Sequence, residues 1–544
     1  MIADRLRGTS RLVRLALRRD RVQIPVWVLS LAAIQAVSLV SLEELYPDPE
    51  DLHGLAVSAG QSPVQLATAG IVSGDSLGAL LASQTVMLFA VAAALMSTLL
   101  VVRHTRQNEE TGRAELVEAA VVGRQALLTA ALIVAVGANI ALGGANAILL
   151  VALGLPMSGS LVTGASMAAA GIAFAAVAAV AAQVTGSART ANGLAGAVLG
   201  AAFLLRALGD MSGEVVDGGI RVVSGWMSWL SPIGWAQQMR PFDDDQWWIL
   251  ALFAVFVAVT SVIAYTLTER RDLGAGLMQP RPGPARAARL LPTAFGSAWR
   301  IQRSVLMWWL LALAVAGVAY GTVGNEIEGF LGEGEQAAEM IEQWGGGADS
   351  LTDAYFATIL VFTAIAASAY AVQALLRMRG EEVAGRLESV LATALSRPRW
   401  MGAHVGIVAV GVVLVQLVCG AAMGLAYGMT IGDVAGQLPA LVGAALAYVP
   451  AILAVAGFAV LVIGGLPRWA SALSWGALAA CLVIGMLGPI LQLPEAVMDI
   501  SPLRHVPAVP AESVTFGSLV VLGVVAAALA VAGVVLFRRR DLEL

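Results

Sequence analysis

ALLASQTVMLFAVAAALMSTLLVVRHTRQNEETGRAE, residues 79–115, holds the two kinds of sequence on which the fold reading rests. Its first part is uncharged through Val102, about the twenty residues that cross a bilayer as a helix. Its second part is charged. There Arg106-x-x-Glu109-x-x-Gly112-Arg113-x-Glu115 appears, and it returns without a gap as Arg379-x-x-Glu382-x-x-Gly385-Arg386-x-Glu388. Each copy follows one long apolar stretch and precedes another. Two matched polar devices in membrane-like sequence predict a duplicated membrane protein gripped from one side.

Of the 544 residues, 58% are hydrophobic and 13% charged, with a mean hydropathy of +0.81. A soluble chain would carry roughly 25% charged residues. Apolar runs recur near 23–42, 79–102, 125–153, 158–184, 190–209 and 246–267, then near 304–323, 355–376, 400–430, 434–464, 468–492 and 515–537. They are continuous and rich in Ala, Leu and Val, where a barrel would alternate. The fold class is therefore an all-α polytopic membrane protein of about twelve transmembrane helices. The weakest boundaries are the short connections near Gly154–Gly159 and Gly432–Gln437.

Charge sets the expected orientation. The chain has no Lys, so its 32 positive residues are all Arg. With the N-terminus inside, all but Arg206, Arg221, Arg240 and Arg504 fall on the cytoplasmic side, which satisfies the positive-inside rule. Acids gather opposite, at Glu43, Glu44, Asp48, Glu50 and Asp51 and again from Glu326 to Glu342. Both termini are expected in the cytoplasm, and the net charge of −5 gives no reason to expect nucleic acid as a partner. The first apolar run has a passable signal-peptide cleavage site at Ala36-Val-Ser38. Its counterpart at 304–323 lies in mid-chain, which favours an uncleaved first span. Cys419 and Cys481 fall within predicted spans and read as small buried apolar residues.

The halves match beyond the opening motif. Arg21 and Trp27 correspond to Arg303 and Trp309, Ser231-Pro232 to Ser501-Pro502, and Arg270-Arg-Asp-Leu273 to Arg539-Arg-Asp-Leu542. With six spans each, the two pseudo-symmetric halves run parallel, about an axis along the membrane normal. The organisation predicted is a first half over 1–275, a cytoplasmic linker over 276–297 and a second half over 298–544. Pro280, Pro282 and Pro284 mark the linker. Each half begins with an interfacial segment. In the first, Leu6, Leu12, Val13, Ala16 and Leu17 alternate with seven arginines over 5–21. That is either a helix on the inner leaflet or a set of charges that fixes topology.

In the repeated motif, Glu109 and Arg113 are four apart, as are Glu382 and Arg386, the favourable order for a helical ion pair. Gly112 and Gly385 weaken a helix there, which predicts a helix end or a close backbone approach. Leu116, Val117, Val121 and Val122, and in the second copy Val390, Leu391, Ala394 and Leu395, form a candidate apolar face. Arg124 and Arg397 close the two segments. A solvated loop whose arginines only set topology accounts for Arg103, Arg106, Arg377 and Arg379. It does not account for the paired glutamates or the gap-free spacing.

A span, then an E-x-x-G-R-x-E segment, then another span resembles the first cytoplasmic loop of type-2 ABC exporter permeases. The Ser-Pro segment before a sixth span ending in R-R-D-L resembles that family too. The fused twelve-span form is similar to actinobacterial tetronasin-resistance permeases, proposed exporters of polyketide antibiotics. The resemblance covers nearly the whole chain. It departs at Arg113 and Arg386, where many members have Thr. It implies that Arg106, Glu109, Gly112, Arg113 and Glu115, with Arg379, Glu382, Gly385, Arg386 and Glu388, serve ATPase coupling. It further implies two copies of a separate ABC ATPase subunit as partners, with ATP and Mg²⁺ held there and no cofactor on this chain. A cavity between the halves would open inward and then outward. Gln84, Asn192, Ser471 and Ser474 are then the candidate cavity-lining residues, for a hydrophobic or amphipathic antibiotic, drug or lipid-like molecule moved out across a bacterial plasma membrane.

Absences agree with this expectation. A P-loop needs the Lys that reaches the phosphates, and this chain has none. It is therefore read as a transport subunit, not an enzyme. An ion-gradient-coupled multidrug antiporter, the alternative, would want intramembrane acids, and the predicted spans have almost none. A membrane-embedded transferase would want clustered acids at a membrane face. Asp243-Asp-Asp245 is such a cluster, but it stands alone on the outer side and reads as a solvated loop tip. No metal site is expected, because His53, His104, His404 and His505 are isolated. The Trp-rich stretch 210–245 and its counterpart 489–514 either dip back into the membrane or form an aromatic belt.

Overall fold

The computed structural model describes residues 2–118, 121–272, 274–277, 286, 290–291, 293–324, 351–487, 494–512 and 516–541. Most of the expected linker and the whole acidic stretch from Glu326 to Glu342 lie outside these, as do Leu273 and Leu542. The chain forms two compact units, Met1–Gly283 and Pro284–Leu544. Eleven helices among the described residues are long and apolar enough to cross a membrane. A shorter apolar helix, Ala470–Gly485, occupies the remaining predicted position.

In the first unit the spans are Gln23–Leu45, Leu77–His104, Ala126–Ala152, Met157–Val184, Ala188–Met211 and Ile249–Arg270. Local chemistry sets their ends. Ser76 caps the second span by accepting from Ala79 N at 3.2 Å. Ser187 and Thr190 cap the fifth reciprocally, at 3.1 and 3.3 Å, so two orphan amides at its start are satisfied. The connection at Gly154–Gly159 is a tight turn in which Gly154 adopts φ 95° after one helix and Pro156 precedes the next. The third and fourth spans cross closely at Gly143 and Gly164. A β-carbon on either would lie 2.2–2.3 Å from the other's carbonyl oxygen, so small residues allow backbone contact. The core of this unit gathers Phe89, Ala93, Met96, Phe174 and Phe253.

The stretch 212–245 of this unit, expected on the outer side, folds into short elements. Two three-residue strands, Glu214–Val216 and Arg221–Val223, pair antiparallel, a small exception to the all-α expectation. The helix Pro232–Gln238 follows, capped by Ser231. Its Ile233 and Ala236 join the same apolar cluster as Phe89 and Phe174. The four arginines expected on the outer side are charge-paired or bonded to backbone. Arg206, fully buried, pairs with Asp210 at 3.3 Å and donates to Leu66 O at 2.9 Å and to Ala67 O. Arg221 pairs with Asp244, Arg504 with Asp499 at 3.6 Å, and Arg240 donates to Val222 O at 3.4 Å. Asp245 accepts from Ser158 and from Phe242 N. The Asp243–Asp245 cluster is thus held by Arg221, Ser158 and backbone.

In the second unit the spans are Ala294–Val323, Leu351–Val383, Arg397–Ile431, Val434–Gly465 and Phe516–Arg539, with Ala470–Leu487 between the last two. Here the interfacial segment runs on into the span, whereas in the first unit a separate helix, Thr9–Arg19, precedes it. Val434–Gly465 breaks at Tyr448, two residues before Pro450, which cannot donate to the helix ladder. The turn before it uses Gly432 at φ 78° and Asp433, which caps by accepting from Gly436 N at 3.0 Å. Tyr370, Val412, Tyr448 and Ile452 belong to the core of this unit.

Candidate functional site

Both copies of the repeated motif have one build. In the first, the second span ends at His104, the turn Arg106–Glu110 follows, and a short helix runs from Arg113 to Glu118. In the second, the span continues to Val383 and a short helix runs from Arg386 to Leu391. Gly112 and Gly385 adopt φ 69° and 70°, and a β-carbon on either would meet nothing within 4 Å. Backbone conformation alone therefore requires glycine, because other L-residues are strained there. Ala114 and Leu387, one place after the arginine in each copy, are buried. Arg113, Glu115 and Leu116 are exposed, as are Arg386 and Glu388.

The expected helical pairs Glu109–Arg113 and Glu382–Arg386 do not form. The left-handed glycine lies between the partners, so they do not share one helical face. Instead each first glutamate turns inward to the end of the sixth span of its own unit. Glu109 receives two hydrogen bonds from Arg271, at 2.8 and 2.5 Å, and one from Arg106 at 2.6 Å. Glu382 receives two from Arg540, at 2.7 and 2.6 Å, and pairs with Arg379 at 3.1 Å. The far end of each loop meets the same arginine. Arg124 donates to Arg271 O at 2.7 Å, and Arg397 donates to Arg540 O at 2.8 Å. Side-chain exposure is 3% for Glu109, 4% for Glu382, 7% for Arg271 and 13% for Arg540. Water screens such pairs little, and removing one partner of a buried pair costs roughly 3–5 kcal/mol.

Arg106 has a second task. It donates to Ala182 O and Ala275 O, each at 3.1 Å, and to Thr185 O. Ala182 and Thr185 lie at the C-terminus of the fourth span, where carbonyls lack helical partners and a cation opposes the dipole. Gln183 accepts from Arg271 Nε at 2.6 Å. The N-terminal segment joins in, since Gly123 N donates to Arg7 O at 2.9 Å and Gln125 N to Arg5 O at 3.1 Å.

The exposed arginines differ between copies. Arg386 forms a two-point pair with Glu381, both bonds at 2.7 Å, which raises its pKa above the ordinary value. Arg113 instead lines a cavity of about 220 Å³ with Arg19, His104, Asn108 and Leu12. Burial, followed by the charges of Arg103 and Arg113, lowers the pKa of Arg19. Asp20, buried nearby, is bonded to His104 and pairs with Arg103 at 2.8 Å.

The four cavity candidates divide between the units. Gln84 and Asn192 are half-buried in the first, and Asn192 Oδ1 has no hydrogen-bond partner. In the second, Ser471 is exposed, while Ser474 is buried with its Oγ unpartnered. None of them lines the 220 Å³ cavity, nor the 360 Å³ cavity beside Glu109 and Arg271, nor the 730 Å³ groove beside Trp299 and Arg303. The sequence reading used the R-R-D-L segments only as landmarks and missed the role of Arg271 and Arg540. The available signal was complementary charge: two repeated acids and two repeated bases in an apolar chain.

Apolar helices of membrane length, organised in two units around one repeated polar loop, define a polytopic helical membrane protein with a duplicated loop device. Comparison with known proteins makes the class specific. The chain is 40% identical over 537 residues to the multidrug efflux system permease protein Rv1217c of Mycobacterium tuberculosis (strain ATCC 25618 / H37Rv), covering 98% of this chain and 95% of that protein. Residues 291–538 match the family described as multidrug efflux system permease Rv1217c, C-terminal domain. The chain belongs to this family of multidrug efflux permeases.

Proposed function

We propose that this permease is the membrane subunit of an ATP-driven ABC exporter, powered by two copies of a separate ATPase subunit. The observation that carries the reading is the duplicated loop. Each copy presents a short helix after a left-handed glycine, with its arginine and second glutamate exposed and its first glutamate locked behind. An exposed polar ridge on a buried ionic base suits a rigid docking element. Arg113, Glu115 and Leu116, and Arg386 and Glu388, would meet the partner. Arg106, Glu109, Arg379 and Glu382 would hold the ridge in place, with Gly112 and Gly385 forming its elbows.

ATP and Mg²⁺ would bind on the partner, since a chain without Lys cannot build a P-loop. The distribution of arginines supports cytoplasmic termini, and with that orientation both loops would face the side where ATP is found. The substrates proposed are hydrophobic or amphipathic antibiotics and lipid-like compounds, polyketides of the tetronasin class among them. Gln84, Asn192, Ser471 and Ser474 are the proposed polar anchors in an otherwise apolar pathway. Asp210 lies within the fifth span but is paired with Arg206, so it gives no support to an ion-coupled antiporter.

The test co-expresses the permease with a candidate Walker-A ATPase subunit. Arg113→Glu combined with Arg386→Glu changes exposed residues only. The altered permease is expected to insert normally and to lose co-purification with the ATPase. Normal co-purification and normal drug-stimulated hydrolysis would refute the docking assignment.

A further inference from the structure

Glu109 and Arg124 bracket the first loop, and Glu382 and Arg397 the second. In each unit both brackets close on a single residue. The side chain of Arg271 holds Glu109 by two hydrogen bonds, and its carbonyl oxygen accepts from Arg124 at 2.7 Å. The side chain of Arg540 holds Glu382, and its carbonyl accepts from Arg397 at 2.8 Å. The same three-residue arrangement thus occurs in both units, although loops elsewhere differ in length. Arg271 and Arg540 directly follow the sixth span of the first unit and the closing span Phe516–Arg539 of the second.

We propose that Arg271 and Arg540 are positioning residues that fasten each docking loop, at both of its ends, to the last helix of its own unit. The proposal rests on the docking reading above. Three physical points support it. In the first unit the guanidinium meets the carboxylate through two parallel bonds, from Nη1 and Nη2 of Arg271, which fixes orientation as well as distance, while in the second Nη2 of Arg540 reaches both oxygens of Glu382. Both pairs are largely excluded from water, so they are screened far less than surface ion pairs. The left-handed glycine between the brackets gives the loop one set bend. A load on the short helix therefore reaches the last helix directly, without passing through the apolar core. In the first unit Arg271 also donates to Gln183, which adds the fourth span to the same joint.

The test combines coupling and distance measurements on the full-length permease. Arg271→Gln with Arg540→Gln keeps a polar side chain of shorter reach and removes the charged guanidinium. Insertion, co-purification with the ATPase and basal hydrolysis are expected to persist. Drug-stimulated hydrolysis and ATP-driven transport are expected to fall about tenfold, within the usual range of a coupling energy. Lys at both positions keeps the charge without the planar fork and is expected to give an intermediate ratio of stimulated to basal rate. A role in stability alone would lower both rates together.

Spin labels at the exposed Glu115 and Asp272, and separately at Glu388 and Asp541, read the joint in the permease by itself. The unaltered protein is expected to show one narrow distance. The glutamine variants are expected to show a broad one. Unchanged coupling in the glutamine variants, or loop and helix ends that move independently in the unaltered protein, would overturn the proposal. Failure of the unaltered permease to bind the ATPase would instead refute the docking reading, while the label distances would still test the joint.

Discussion

Gly112 and Gly385 have open space where a side chain would go and a backbone angle that resists one. Alanine at either site is therefore expected to lower stability by about 1 kcal/mol through conformation alone. Valine should cost more and asparagine less, because asparagine tolerates the left-handed region. Thermal unfolding in detergent would check that order. An alanine that stabilised the protein would mean that the glycines serve something other than the bend. The reading of Glu109 is corrected on the same scale. Spacing alone gave it Arg113 as a helical partner, but the glycine between them ends the helix and the carboxylate finds Arg271 instead.

Among the elements, the spans were legible because twenty apolar residues can do little else in a bilayer-length helix. Their ends were less so, because they follow from caps such as Ser76 and Ser187 and from turns such as Gly154 and Gly432. The break at Tyr448 has its signal in Pro450. The joint between loop and last helix was not legible, since Glu109 and Arg271 are 162 positions apart and only folding brings them together. The same holds for Arg206, an apparent exception to the charge rule that proves to fasten the fifth span to the short helix Pro63–Thr68. Arg206→Ala would leave Asp210 without its charge partner, though still bonded to Ser224, and would orphan two carbonyl groups, and is expected to cost roughly 3–5 kcal/mol. Replacing Arg206 and Asp210 together with Leu should cost clearly less than that. Folding titrations of the single and double variants would measure the difference. Equal losses would show that the pair is not the fastening.

For the whole molecule, composition and charge carried the reading furthest. An apolar chain without Lys predicts a membrane protein with no motor of its own, and its relative is a multidrug efflux permease. The repeated loop supports an external motor gripping twice. The most direct measurement is transport of a fluorescent hydrophobic drug by proteoliposomes containing the permease and a candidate Walker-A ATPase subunit. The expected result is transport that needs ATP, Mg²⁺ and the ATPase, and that persists when proton and sodium gradients are collapsed. Transport by this chain alone, driven by an imposed proton or sodium gradient, would contradict the account.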